Sequence, residues 1–339
     1  MEPAMINNAK DGVLAAIGNT PLIRLNRALD DCSFRLFAKM EGLNPGGSVK
    51  DRPAVAMIRN GIETGEIRHG TVIVESSSGN TGIGLAQACR YFGLEFICVV
   101  DPKITAQNML LLKAYGAKID IVSEPDPQTE EFLPARIKRV RSLLRDLGNA
   151  FWANQYANVH NALSHHQTMD EIVTALDGKL DYVFCATSTC GTLRGCADYI
   201  REHGLPARVI AVDAVGSVIH GAPRGKRLLP GHGASLVPEL YEADLAYDCI
   251  HVTDADCVIG CRRLAAREAL LVGGSSGAVF MAADRAKQMI PENANCVLIF
   301  ADRGERYLDT IYSDGWVMDH FGDISNSWSE AVPEKRAPR

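Results

Sequence analysis

Lys50 sits in the segment NPGGSVKDRP, residues 44 to 53, directly after a Pro-Gly-Gly-Ser turn and just before a helix start. Pro45, Gly46 and Gly47 force a tight turn, and Pro53 suits the first turn of a helix. The positive end of a helix dipole is a poor place for an ammonium and a better one for a neutral amine. On these ten residues alone, a solvated loop lysine is an equal alternative. Three further turns rich in glycine and hydroxyls lead into helix-length segments. ESSSGNTG (75–82) offers hydroxyls, an amide side chain and backbone N–H groups, a receptor for a carboxylate. ATSTCGT (186–192) brings Ser188, Thr189, Gly191 and Thr192 to a helix start, the chemistry of a phosphate cradle. GGSSGA (273–278) opens another helix with Ser275. Any one of these turns, taken singly, is more often a helix cap than a ligand loop.

The elements that must position these turns follow from the apolar pattern. Strand-like TVIVE (71–75), EFICVV (95–100) and KIDIV (118–122) alternate with helix-length segments at 79–92, 105–115 and 130–146. After FWANQYAN the alternation resumes with DYVFCA (181–186), a helix from about Thr192, RVIAVD (208–213) and CVLIFA (296–301). Such alternation predicts an α/β fold with parallel sheets joined by right-handed crossovers, and ligands bind at its strand-to-helix junctions. An amine, a carboxylate receptor, a phosphate receptor and an isolated serine at those junctions are the parts of a pyridoxal phosphate enzyme.

Composition bounds the alternatives. The 339 residues are 47% hydrophobic, enough for a sizeable core in two lobes. Lys and Arg number 35 against 41 Asp and Glu, a net charge of −6, which speaks against nucleic acid or an anionic membrane as partner. The start, MEPAMINNAKDG, carries no signal pattern, and the apolar runs are far too short to span a bilayer, so a cytoplasmic protein is expected. The ten cysteines include no C-x-x-C pair; no metal site is expected, and the thiols read as reduced and mostly buried. The polar end, 319–339, reads as a disordered tail.

NPGGSVKDR, SSGNTGIGLA, NQYxN, GGSSGA and DRGERYLD, in this order, resemble the cysteine synthase family of fold-type II pyridoxal phosphate enzymes, over roughly residues 12 to 318. The resemblance implies a two-lobe fold like the tryptophan synthase β subunit, with twisted, mostly parallel sheets flanked by helices, and a homodimer. A smaller lobe, 36–152, would carry the lysine and the carboxylate loop; a larger one, 13–35 with 153–318, would carry the phosphate loop. Lys50 would hold pyridoxal 5'-phosphate covalently and then act as base on the substrate's α-proton. Asn80 would hydrogen-bond the cofactor's 3'-oxygen, Ser188, Thr189, Cys190, Gly191 and Thr192 would hold its phosphate, and Ser275 would meet the pyridine nitrogen. Ser77, Ser78, Gly79 and Thr81 would grip the substrate α-carboxylate, with Gln155 approaching from across the cleft. A neutral hydroxyl at the pyridine nitrogen suits expulsion of a β-substituent, hence β-replacement.

CVVDPKI (98–104), ARIKRV (135–140), LPGHGASLVPE (229–239) and DRGERYLDTIYSDGW (302–316) look closer to a branch that uses O-phospho-L-serine and L-glutamate to supply 2,3-diaminopropionate for siderophore biosynthesis. Such substrates need local cations in a net-acidic chain; Arg136 and Arg139 share one helical stripe, Lys138, Arg141 and Arg145 another, and Arg136 is the expected substrate ligand. A cysteine synthase using sulfide with O-acetylserine or O-phosphoserine, and a direct 2,3-diaminopropionate synthase, stay open, ahead of a dehydratase or a non-catalytic homologue. The phosphate loop departs from the family's glycine-rich G-T-G-G-T. Cys190 in it is either an oxidisable thiol lowered by the helix start or an inert filler. His232, in PGHGAS, is either a ligand for an acidic substrate or a solvent-facing loop residue.

Overall fold

The computed structural model describes residues 10–329. Strands β1 (Leu22–Arg24), β2 (Arg35–Met40), β3 (Val72–Ser76), β4 (Glu95–Val100), β5 (Lys118–Ile121), β6 (Ala150–Trp152), β7 (Tyr182–Ala186), β8 (Arg208–Ala214), β9 (Asp248–Val252) and β10 (Asn295–Phe300) form two sheets. The helices are α1 (Asp51–Glu63), α2 (Asn80–Phe92), α3 (Ala106–Ala114), α4 (Phe132–Leu147), α5 (Val159–Ala175), α6 (Gly191–Glu202), α7 (Asp254–Glu268), α8 (Gly274–Ala286), α9 (Asp314–Phe321) and α10 (Asn326–Ser329). The elements expected from the alternation between 71 and 147 all form, with ends within two residues of those expected.

One sheet runs β5-β4-β3-β6, all parallel; the other runs β1-β2-β10-β7-β8-β9, parallel apart from β1 on β2. Period-two alternation divides β10 between two cores. Leu298 and Phe300 join Phe184 and Phe280 under α7 and α8, whereas Val297 and Ile299 join Val183 and Leu193 under α5 and α6. The four-stranded sheet is covered likewise: Ile73, Phe96 and Cys98 pack on α1 and α2, Val74 and Val99 on α4. These strands are apolar on both faces, as parallel strands between helix layers require.

Two boundaries differ from expectation. Residues 36–40, expected in the smaller lobe, belong to β2, which pairs with β10 in the six-stranded sheet. That partner lies at the far end of the chain, so no local pattern could reveal the pairing. Leu14, expected in the larger lobe, packs in the core of the four-stranded sheet. The expected tail is also partly ordered: 319–321 complete α9, 326–329 form α10, and the Trp328 ring lies 5.2 Å from the Arg262 guanidinium. Residues 330–339 of that tail lie outside the described residues.

Candidate active site

Four helices start around one cavity. Lys50 is the residue before α1, Gly79 precedes α2, Cys190 precedes α6, and Ser275 is the second residue of α8. All four line a cavity of ≈ 1050 Å³, together with the other residues singled out from the sequence, Ser77, Ser78, Asn80, Thr81, Arg136, Gln155, Ser188, Thr189, Gly191 and Thr192. Each helix N-terminus adds partial positive charge and free N–H groups, so the cavity is built for anions.

The turn before Lys50 is held from within. The Gly46 N–H donates to the Asp51 carboxylate, and a Cβ on Gly46 would stand 2.7 Å from that carboxylate. Gly47 has φ +84°, which favours glycine. Pro53 falls in the first turn of α1, where its missing N–H costs nothing. Burial pushes the Lys50 ammonium down to about 8, against the opposing pull of the Asp302 carboxylate.

The loop before α2 is a hydroxyl network. Ser77 Oγ accepts from the N–H of Gly82 at 3.0 Å, and Thr81 Oγ1 donates to Gln155 Oε1 at 2.6 Å. Gln155 is fixed in turn by buried Glu75, which accepts from the N–H groups of Gln155 (3.1 Å) and Ser76 (2.7 Å) and from Trp152 Nε1 (3.3 Å). Burial nevertheless pushes the Glu75 carboxyl up to about 7. A Cβ built on Gly79 meets nothing within 4 Å, so this helix start opens into the cavity. Arg136, on α4, donates from Nη1 to Ser78 Oγ at 2.9 Å and lies 3.3 Å from Asp101. Arg139, on the same stripe, turns away to Asp120.

The loop before α6 is shaped by backbone. Cys190 adopts φ +62° and is buried. Its thiol is pushed up to about 12 by burial, so the inert-filler reading fits and the lowered-pKa reading does not. Asn161 supports the loop from beneath, donating from Nδ2 to Gln155 O (2.7 Å) and Thr189 Oγ1 (3.1 Å). A Cβ on Gly191 would meet Asn161 Oδ1 at 2.2 Å. His232 is buried away from solvent; its Nε2 pairs with Val212 O at 3.1 Å, and burial lowers its pKa.

Sequence reasoning missed the partners that fix Asn80. Asn80 Nδ2 donates to Asp302 at 2.7 Å, Arg306 donates to Asn80 Oδ1, and Tyr307 OH donates to Asp302 at 2.6 Å. DRGERY was visible as a motif, but nothing in it signals a contact with residue 80. Glu75, Asn161 and a basic segment at 224–227 on the cavity wall were missed as well. Among the described residues no cluster of metal ligands occurs, and no helix is long and apolar enough to cross a membrane.

A lysine at a helix start, between two mostly parallel sheets and faced by three more helix N-termini, places the chain among the fold-type II pyridoxal phosphate enzymes. The chain belongs to the pyridoxal-phosphate dependent enzyme family, whose pattern matches residues 13–302. Two relatives are named N-(2-amino-2-carboxyethyl)-L-glutamate synthase. The one from Ralstonia nicotianae is 49% identical over 90% of both chains, and the one from Cupriavidus metallidurans is 44% identical over 91% of both. Among solved structures, a hydrogen sulfide-producing enzyme from Fusobacterium nucleatum superposes with TM-score 0.83 at 32% identity, covering 88% of this chain and all of that one. A cysteine synthase from Entamoeba histolytica gives TM-score 0.84 at 30% identity, covering 91% and 93%.

Proposed function

We propose that this chain joins O-phospho-L-serine to L-glutamate, giving N-(2-amino-2-carboxyethyl)-L-glutamate and inorganic phosphate, a source of 2,3-diaminopropionate for siderophore biosynthesis. The Cβ–O bond to phosphate breaks, a Cβ–N bond to the glutamate amine forms, and the glutamate ammonium gives up a proton. Arg136 carries the reading: a largely buried guanidinium, 12% exposed and 3.3 Å from Asp101, is held on Ser78 of the carboxylate loop, where its remaining N–H groups suit the phosphate that O-phospho-L-serine has and O-acetylserine lacks. The name of the two relatives supports the glutamate adduct as product.

The residues present fit pyridoxal phosphate. Lys50, with its ammonium pushed down to about 8, supplies an amine that exists in neutral form near physiological pH. Hydroxyls and N–H groups of 188–192 at the start of α6 suit a phosphate dianion. Ser275 offers a neutral hydroxyl, and Asn80 an amide whose orientation is fixed by an acceptor-only carboxylate and a donor-only guanidinium. When bound, the cofactor supplies an electron sink that acidifies the substrate's α-proton and lets the β-substituent depart. Ser77, Ser78, Gly79 and Thr81, with Gln155 behind them, orient the α-carboxylate. Lys50 takes the α-proton on Nζ and, after addition of the nucleophile, returns a proton to the same carbon. Arg136 offsets the charge that builds on the departing phosphate.

The test is a competition. Enzyme supplied with pyridoxal phosphate and O-phospho-L-serine receives L-glutamate and sulfide together, and the products are identified by mass. A dominant glutamate adduct with phosphate release is expected; dominant cysteine would return the function to sulfur assimilation. The homodimer implied by the family resemblance is part of the proposal, and a single-chain mass by light scattering would remove it.

A further inference from the structure

Residues 224–227, Arg-Gly-Lys-Arg, put three cations on the wall of the cavity, and neither the carboxylate loop nor the phosphate loop uses them. The segment is a built strap. Gly225 N donates to Gly216 O at 3.0 Å, and the two glycines cross so closely that a Cβ on Gly216 would stand 2.9 Å from the Gly225 backbone. Further along, the N–H groups of Leu228 and Leu229 donate to the Asp254 carboxylate at 2.8 and 3.2 Å. Arg224 Nη2 is anchored on Ser235 O at 2.8 Å, and Arg227 Nη1 on His232 O at 3.2 Å. His232, whose buried ring is held on Val212, thereby serves through its backbone carbonyl as the footing of Arg227.

What the strap lacks is a counter-charge. Among the described residues no carboxylate oxygen lies within 4.0 Å of the charged nitrogens of Arg224, Lys226 or Arg227, whereas Arg136, Arg139, Arg194 and Arg263 each have one. Arg227 is half-buried and its Nε is buried with no partner. Leaving such a group unpaired is costly unless an anion completes it. In a chain of net charge −6, three unpaired cations on one cavity wall make a receptor for an anion with more than one charge.

We propose that the 224–227 strap is the subsite for the carboxylates of the nucleophilic substrate, with Arg227 as its main ligand and Arg224 and Lys226 at the rim. The inference rests on the reading of L-glutamate as nucleophile. A dicarboxylate amino acid held by its two carboxylates keeps its amine as the free end, which is the end that must reach Cβ. Arg136, on α4 and bonded to Ser78 of the carboxylate loop, serves the donor; the strap serves the second substrate.

Steady-state kinetics of the holoenzyme with O-phospho-L-serine and L-glutamate separate the two roles. Arg227→Gln should raise KM for L-glutamate by about 10–100-fold, the worth of one charge-assisted hydrogen bond. It should change KM for O-phospho-L-serine less than about twofold and abolish the preference for L-glutamate over L-glutamine. The double variant Arg224→Gln with Lys226→Gln, at exposed positions where folding is not at stake, should raise the glutamate KM by a smaller factor. Equal rises in both KM values, or an unchanged glutamate KM in both variants, would overturn the subsite while leaving the reaction standing. Wild-type enzyme that releases no phosphate on addition of glutamate would instead overturn the reaction, and the subsite with it.

Discussion

The two walls of the cavity solve the same problem, anion binding, in different materials. On the side of the four-stranded sheet, the loop 76–81 works through side chains: Thr81 on Gln155, Ser78 on Arg136, Gln155 on Glu75. Across the cavity, the loop 187–192 works through backbone shape, with Cys190 at positive φ and Gly191 pressed on Asn161. A wall of linked side chains can re-form around different amino acids. A wall of fixed backbone suits a cofactor that stays. Selectivity for the donor should therefore reside in the first wall and cofactor retention in the second.

Lys50, at the seam, belongs to both. Lys50→Ala should cost at least about 10²–10⁴-fold in turnover through loss of the base alone, and should also abolish the lysine-linked absorbance of the bound cofactor. An active variant would leave the seam without a catalytic role. Next in size are two changes that should part the walls. Arg136→Lys should lower kcat/KM by roughly 10–100-fold with cofactor absorbance intact, since an ammonium cannot reproduce the guanidinium fork. Gly191→Ala, forced onto Asn161, should destabilise the fold by about 1–3 kcal/mol and release cofactor. If Arg136→Lys shed cofactor instead, or Gly191→Ala kept it, the division would fail.

Glu75 sharpens the comparison through pH. Its folded value, about 7, lies above the ordinary 4.5, so the folded state binds more protons between those values. Stability from this group is therefore lost as pH rises from about 4.5 to about 7. Between pH 5 and 8 the wild type should lose about 2–3 kcal/mol relative to Glu75→Gln, read from denaturant melts at both pH values. A constant difference would mean that the carboxylate is charged throughout. The smallest effect is expected at Cys190→Gly, where relief of the left-handed backbone offsets the lost buried side chain, leaving stability within about 1 kcal/mol. Rapid labelling of Cys190 by a thiol reagent in the native enzyme would contradict its burial.

The contrast also explains what could be read from the sequence. The backbone wall announced itself as glycine- and hydroxyl-rich turns at strand ends, because turn chemistry is local. Three strands of the four-stranded sheet, β3, β4 and β5, were legible for the same reason, their apolar runs being short and bounded; the three-residue β6 was not. Asn161, Asp302 and Arg306 were not, since their importance lies in contacts across 28, 222 and 226 positions of chain. The placement of β2 beside β10 escaped likewise, as did the strap, whose cations matter because no carboxylate came to meet them. His232, read as either a substrate ligand or a solvent-facing loop residue, proved to be neither: it is buried and supports Arg227.

The bracket around Asn80 has a further consequence, one of timing. Asp302 and Arg306 hold Asn80 from both ends, and Arg306 also donates to the carbonyl of Gly46 in the turn before Lys50. The earliest-made pieces of the cavity are thus fastened by nearly the last. At synthesis rates of about 5–20 residues per second, Lys50 leaves the ribosome roughly ten to fifty seconds before its surroundings are complete. A nascent chain stalled before Asp302 should fail to capture pyridoxal phosphate, and one released past Tyr307 should succeed. Capture by the shorter chain would show that the cavity forms without its clasp.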